Sequence, residues 1–508
     1  MSSSTSSTDG PVVIAIDAGT TGVRAFAVDT DGVPVGRAYR EFTQHFPRPG
    51  WVEHDAAEIW TTTRSVLAEC VAAVGRPVAA VGITDQRETV VAWDRRTGEP
   101  RHRAVVWQDR RTAARCDALA EAGELDRVRR LTGLVLDPYF SASKVEWLLT
   151  EGGVAVDGDL LLGTIDTWLI WNLTGGAAHV TDPSNASRTM LFDIGALAWS
   201  DELCDLFGVP TAALPTVVPS SGVVGHTVEG TGLPAGVPVA GIAGDQQAAL
   251  FGQACVRPGM AKNTYGTGSF VLMNVGSTCP APTEGLLTTV GWTLPAAALG
   301  TTGDDVTHYA LEGAIFVTGA AVQWLRDGLG IIDDAAEVGP LAESVEDTAG
   351  VVVVPAFTGL GSPYWDPYAR GSVLGITRGV GRAHLARAVV ESMAYQTRDV
   401  VDTMTAASGA ALDELRVDGG ASAMDLLLRI QADQLGATVA RATVQETTAL
   451  GAAYLAGLGA GVWSTVEEVS ARWTADVRVE PSGDRAVVDA AYAQWQRGVE
   501  RSRGWATD

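Results

Sequence analysis

The sequence predicts an α/β fold of two lobes facing each other across a central cleft, the second lobe repeating the first. Two observations carry this. Apolar runs alternate with helical patterns along most of the chain. Both halves also open on a strand, a Gly-Thr turn and a second strand: Asp17-Ala18-Gly19-Thr20-Thr21 in one, Tyr265-Gly266-Thr267-Gly268 in the other. The two turns lie about 250 residues apart, which reads as an internal duplication. The length of 508 residues allows two large domains. The division expected is a tail over 1–10, an N-terminal lobe over 11–256 and a C-terminal lobe over 257–508.

The elements follow in order. The apolar run 12–16, the Gly-Thr-Thr tip and the run 25–28 form a β-hairpin, and Asp29-Thr30-Asp31-Gly32 supplies the next turn. Residues 55–74 form a helix with Ile59, Thr63, Val66 and Leu67 on one face. Residues 78–83 and 89–93 read as strands, 164–173 as a buried helix, and 239–243 as a strand leading into Gly244-Asp245. In the second half, the segment from Lys262 opens a hairpin into Phe270-Val271-Leu272-Met273, and 351–355 is a short apolar strand. Residues 384–404 form an amphipathic helix with Leu385, Val389, Met393 and Val400 inward. A strand at 415–418 runs into Gly419-Gly420, and a helix at 424–435 stops at Gly436.

Composition excludes several classes. Hydrophobic residues make up 46% and charged residues 19%, an ordinary globular balance. The formal net charge of −24 disfavours nucleic acid and anionic membranes as partners. Residues 447–466 lack charge but are rich in Ala and Gly, which predicts a closely packed buried helix and no stable membrane insertion. Five scattered cysteines with no CxxC argue against a zinc site or a disulfide framework and fit a cytoplasmic location. The Ser/Thr-rich first ten residues read as a disordered tail without a signal sequence. Lys144 and Lys262 are the only lysines among many arginines, so a compact ammonium is specified at both. Lys144 reads as a helix-surface lysine near Tyr139.

Four polar or glycine-rich turns sit beside apolar runs: the Asp17 hairpin, Gly244-Asp245-Gln246-Gln247, Tyr265-Gly266-Thr267-Gly268-Ser269 and Asp418-Gly419-Gly420-Ala421. Glycine lets the backbone approach a ligand closely, and a Gly-Thr tip presents N–H groups and hydroxyls to a polyphosphate. Asp17 at a strand end is a candidate ligand for Mg²⁺. Together the turns fit an enzyme that wraps a nucleotide between two lobes.

The segments 49–55 (Pro-Gly-Trp-Val-Glu-His-Asp), 86–89, 137–141, 185–192, 241–253 and 358–367 carry a resemblance. Through them the chain resembles the glycerol kinases of the FGGY carbohydrate-kinase family over about residues 12–465. The resemblance implies the two-lobed actin/hexokinase-like fold, a duplicated ribonuclease H-like unit. It implies ATP-dependent phosphorylation of glycerol to sn-glycerol 3-phosphate, with Mg²⁺ and a homo-oligomer, dimer or tetramer. Arg87, Glu88, Tyr139, Asp245 and Gln246 match the family's ligands of the glycerol hydroxyls; Trp107 and Phe270 match the walls along its carbon chain. Asp245 matches the general base, and Asp17 with Asp245 would organise the metal. Thr20, Thr21, Arg24 and Thr267 would meet the phosphates; Gly319, Gln323, Gly420 and Met424 would border the nucleotide.

Blander readings stand beside these. Asp245 also suits a helix N-cap, Arg87 and Glu88 a surface ion pair, and the two aromatics ordinary core. The chain departs from the family at Met424 and Asp425, where the resemblance leads one to expect two asparagines. Met424 can pack on a base but offers no good hydrogen bond, which bears on nucleotide selectivity. The stretch 227–236, where some relatives bind fructose 1,6-bisphosphate, holds Glu229 and no Arg, so no such inhibition is expected. Two other functions are a kinase of a bulkier polyol and a nucleotide-switched scaffold of the actin kind. The compact Arg87, Glu88, Trp107 and Phe270 set argues against the first, and an assembled polyol site argues against the second.

Overall fold

The computed structural model describes residues 10–507. The tail expected over 1–10 therefore lies outside the described residues except for Gly10. Two sheets of the same design organise the chain. In the first, β1 (Val12–Ala18) pairs antiparallel with β2 (Gly22–Asp29), and β2 with β3 (Pro34–Glu41). Then β4 (Val78–Asp85) runs parallel to β1, and β5 (Pro238–Gly244) runs parallel to β4. The order is β3-β2-β1-β4-β5, with Ser221–His226 added at the β5 edge.

The second sheet repeats it. β6 (Met260–Tyr265), β7 (Ser269–Gly276) and β8 (Val306–Ile315) are successively antiparallel, while β9 (Glu414–Gly419) and β10 (Thr438–Ala442) run parallel to β6. The order β8-β7-β6-β9-β10 is the order of the first sheet, flanked by Leu287–Leu294 and Ala475–Val479. The duplication read from the two Gly-Thr turns is thus a duplication of topology, and the fold is α/β and two-lobed. Strand β1 is buried on both faces, which explains its nearly continuous apolar run.

Helices cover the sheets. α1 (Ala56–Val74) starts at Asp55, whose carboxylate accepts from the N–H groups of Ala57 and Glu58. It buries Ile59, Thr63, Val66 and Leu67, the face expected. α2 (Asp245–Gly252) follows β5 directly. Gly244 occupies the cap and Asp245 the first helical position, so the N-cap reading of Asp245 is corrected by one residue. α3 (Arg382–Ser408) runs two residues earlier and four later than the 384–404 expected. α4 (Asp425–Leu435) ends at Gly436 in the left-handed region, φ 64°.

α5 (Thr447–Gly459) is buried all round. It leaves the second sheet and packs on the first, against β1, β4 and β5, with α2 alongside. A Cβ on Gly451 would stand 1.9 Å from the Ala248 carbonyl oxygen, and one on Gly252 would stand 2.0 Å from that of Thr447. The two helix backbones meet there, and only glycine permits it. No helix among the described residues is long and apolar enough to cross a membrane.

Candidate functional site

Three strand ends converge. Asp17 of β1 lies opposite Thr84 of β4, and Asp85 of β4 lies opposite Gly244 of β5, one residue before Asp245. Ligand sites in open α/β sheets form at such carboxyl ends. Asp17 Oδ2 lies 3.5 Å from Arg24 Nη1. Burial raises the Asp17 carboxyl to about 6; Arg24 opposes the rise and the nearby Asp245 adds to it. Asp17 near the end of β1 and Asp245 just past the end of β5 are the carboxylates here that could hold a cation. Thr20 and Thr21 make the tip of the β1–β2 hairpin. The Thr20 hydroxyl accepts from the Trp107 indole N–H at 2.9 Å, and the Thr21 hydroxyl lies 3.4 Å from that of Tyr39.

The turn after β4 sends Arg87 and Glu88 inward, with side-chain exposures of 2% and 1%. Glu88 sits at φ 65°, a left-handed backbone unusual for a non-glycine residue. The reading of this pair as a surface ion pair is therefore corrected: both are buried, and their closest approach is 3.9 Å. Each has a better partner. Arg87 Nη1 donates to Glu312 Oε2 at 2.5 Å and to Gln247 Oε1 at 3.3 Å. Its Nη2 donates to Glu312 Oε1 at 3.3 Å and to the Tyr139 hydroxyl at 3.2 Å. Its Nε faces Asp245 Oδ1 at 3.1 Å. Arg188 Nε donates to Glu88 Oε1 at 2.7 Å and its Nη2 to Glu312 Oε1 at 3.0 Å. Burial alone would raise Glu312, but Arg188 and Arg87 outweigh it and hold the carboxyl at about 2. For Glu88 burial wins, and its carboxyl lies above the usual range despite Arg188 and Arg87.

The second sheet supplies the facing wall. Lys262, Leu272 and Glu312 stand in one cross-strand row, and Thr264, Phe270 and Ala314 in another on the same face. The Arg87 guanidinium lies 6.0 Å from the Phe270 ring centre. The rings of Trp107 and Tyr139 meet edge-on at 5.5 Å. Lys262 Nζ donates to Gln246 Oε1 and to the Thr264 hydroxyl. Burial lowers it to about 8, with Asp418 and Asp245 opposing. Asp245 Oδ1 also accepts the Gln246 N–H at 2.7 Å, so Oδ2 carries no hydrogen bond among the described residues.

Lys144 is not on the helix surface, as its sequence position led us to expect. It is fully buried, and its ammonium donates to the carbonyls of Pro138, Tyr139 and Phe140 at 2.9, 2.6 and 2.7 Å. Three convergent carbonyls match three ammonium protons, which explains a lysine here in a chain that otherwise uses arginine.

A cavity of about 870 Å³ opens on the second half and is lined by Thr267, Gly319, Gln323, Gly420 and Met424 among others. Its apolar side is built from Val322, Val338, Ala421 and Leu426. The Gly319 N–H donates to the Gly266 carbonyl at 3.0 Å, docking the Gly-Thr turn on the helix start, where a Cβ at 319 would clash at 2.5 Å. The structure thus gathers the sequence-selected residues into three neighbouring groups: the strand-end hairpin, the buried charge cluster and this cavity. Sequence reasoning missed Arg188, Gln247 and Glu312, and gave no role to Lys262. Arg188 does lie in the conspicuous segment 185–192, and the rarity of lysine pointed to Lys262.

The models for the N-terminal and C-terminal domains of the FGGY family of carbohydrate kinases match residues 12–252 and 261–460. The chain is 53% identical over 503 residues to a glycerol kinase of Bordetella parapertussis, covering 97% of each. It is 55% identical over 501 residues to one of Aromatoleum aromaticum, covering 97% of this chain and 99% of that protein. A crystal structure of Plasmodium falciparum glycerol kinase with ADP superposes with a TM-score of 0.92 at 34% identity, covering 97% of this chain and 98% of that one. With two family models end to end along the duplicated fold and such relatives over nearly its whole length, the chain belongs to the FGGY family of carbohydrate kinases.

Proposed function

We propose that the protein transfers the γ-phosphoryl group of ATP to glycerol, giving sn-glycerol 3-phosphate and ADP, with Asp245 as general base. The observation that carries this is the seat of Asp245. It stands at a strand end beside Asp17, with Oδ1 held by Arg87 and the Gln246 N–H and Oδ2 left open. Oδ2 takes the proton of the attacking hydroxyl as its oxygen bonds to the γ-phosphorus and the bond to ADP breaks. Arg87, Glu88, Tyr139 and Gln246 orient the polyol through hydrogen bonds, and Trp107 and Phe270 flank its carbons. Charged hydrogen-bonders around a small volume suit a triol and penalise analogues that lack a hydroxyl. Thr20, Thr21, Arg24 and Thr267 meet the phosphates, and Gly319, Gln323, Gly420 and Met424 border the nucleoside.

Asp17 and Asp245 would hold Mg²⁺. The fit rests on placement: Asp17 stands near the end of β1 and Asp245 directly after β5, and Asp245 Oδ2 carries no hydrogen bond among the described residues. Two carboxylates are what Mg²⁺ takes when phosphates and water complete its shell. The metal would neutralise charge on the phosphates. A cytoplasmic homo-oligomer is part of the proposal: five unpaired cysteines and the use of ATP fit that compartment.

The test is ADP release from Mg-ATP with and without glycerol, in the wild type and in Asp245→Asn. Glycerol-dependent release should fall by about 10²–10⁴ in the variant, with ADP binding retained. Turnover on another polyol but not on glycerol would overturn the substrate; undiminished turnover in the variant would overturn the base.

A further inference from the structure

We propose that Glu312 and Arg188 are positioning residues of the polyol site. They fix the side chains of Arg87 and Glu88, and through Glu312 the second half of the chain controls how the first half grips the polyol. The inference rests on the reading just given.

Four buried groups form an electrically neutral quartet, Arg87 and Arg188 against Glu88 and Glu312, and each carboxylate lies between the two guanidiniums. Side-chain exposures are 2% or less throughout. Such a quartet is a poor stabiliser, because desolvation consumes most of the Coulombic gain and apolar packing would serve as well. What it supplies is geometry. Glu312 engages both Nη atoms of Arg87, which leaves Nε as the edge facing Asp245. Arg188 engages Glu88 through one oxygen, Oε1, which leaves Oε2 with no hydrogen bond among the described residues. Among the described residues neither Glu312 nor Arg188 makes a hydrogen bond or ion pair with Asp245, so both act through Arg87 and Glu88. Glu312 comes from β8, whereas the other three members of the quartet belong to the first half. The grip on the polyol is therefore complete only when the second sheet is seated.

Steady-state kinetics of Glu312→Asp, Glu312→Gln and Arg188→Lys, with polyol and ATP varied separately, test this. Glu312→Asp keeps the charge and withdraws it by one methylene; Glu312→Gln keeps the shape and removes the charge. The polyol KM should rise at least about tenfold in Glu312→Gln and Arg188→Lys, and by less in Glu312→Asp. The KM for ATP should stay within about twofold, and the preference for glycerol over propane-1,3-diol should shrink. A polyol KM within about threefold of wild type in Arg188→Lys and Glu312→Asp overturns the proposal. So does a fall in kcat with both KM values unchanged, which is the mark of lost active protein. Loss of ADP binding in all three variants overturns it in favour of a structural role. A wild type that ignores glycerol overturns only the substrate assignment, and the variants are then read on the polyol it does phosphorylate. A wild type active on no polyol overturns both.

Discussion

Lys144 carries its argument at the scale of a single atom. Burial lowers its ammonium to about 8, which leaves it protonated at neutral pH, and three consecutive carbonyls accept its hydrogen bonds. Those carbonyls belong to the loop bearing Tyr139, so the lysine holds a residue of the proposed polyol site. A planar guanidinium cannot converge on three oxygens around one nitrogen. Lys144→Arg should therefore destabilise the fold by about 2–4 kcal/mol, and it should raise the glycerol KM more than the ATP KM. Urea unfolding and kinetics of the same preparation check both. At this scale the sequence was most legible where short motifs concentrate chemistry. Asp17, Arg87, Glu88 and Asp245 each stand at a strand end or a turn, and the structure brings them together. Glu312 was illegible because its partners Arg87 and Arg188 lie 225 and 124 residues away. It sits as one acid within an apolar strand, and no local pattern says what an isolated buried carboxylate pairs with.

At the scale of elements, Asp399 joins three of them. It lies on α3; Tyr364, from a loop, donates to its Oδ2 at 2.8 Å, and Tyr492 of the helix Arg485–Ser502 donates to its Oδ1. Burial raises the carboxyl from 3.8 to about 7, against the two hydroxyls and Arg398 and with Asp402 adding to the rise. Between those values the folded chain keeps a proton that the unfolded chain has released. Unfolding free energy contributed by this group therefore falls as pH rises from about 4 to about 7. Asp399→Asn keeps a neutral hydrogen-bonding group in place. Thermal unfolding at about pH 5 and about pH 8 should show a smaller loss across that interval in the variant than in the wild type; equal losses would mean the carboxyl is already ionised at pH 5. Most of the helices and strands that the sequence marked were legible to within a few residues because periodicity and caps are local, but α5 ends at Gly459 and not at 466, and β3, β8, β10 and the helix Arg485–Ser502 were not expected. Asp55 and Gly436 fixed the start of α1 and the end of α4, as their chemistry predicts. α3 outran its expected bounds because its first and last turns are polar and amphipathic patterning does not mark them.

For the whole molecule, the duplicated turns revealed two lobes, but not that the chain returns from the second to the first. α5 is apolar on every side, and all-round burial says only that a helix is enclosed, not by what. In the structure one apolar core joins Val13, Ala15, Phe26, Ala80 and Ala243 of the first sheet to Leu450, Ala453, Leu455 and Ala456 of α5. The Trp463 indole N–H and Arg472 add hydrogen bonds to the Thr30 carbonyl at the β2–β3 turn. The division we propose near residue 256 is thus one of topology and not of independent stability. A fragment of residues 11–256 lacks the helix that covers β1, β4 and β5, and it exposes a contiguous apolar face of the kind that drives aggregation. Expressed alone it should be insoluble or lack cooperative unfolding. Co-expressed with residues 257–508, it should be recovered as a soluble complex, because α5 returns in trans. A soluble fragment with a cooperative thermal transition of its own would show that the first sheet closes its core without α5. The coupling of the two halves would then rest on the Glu312 ion pairs and on the other buried contacts between them, such as Gln253 with Asp418 and Gln247 with Thr289.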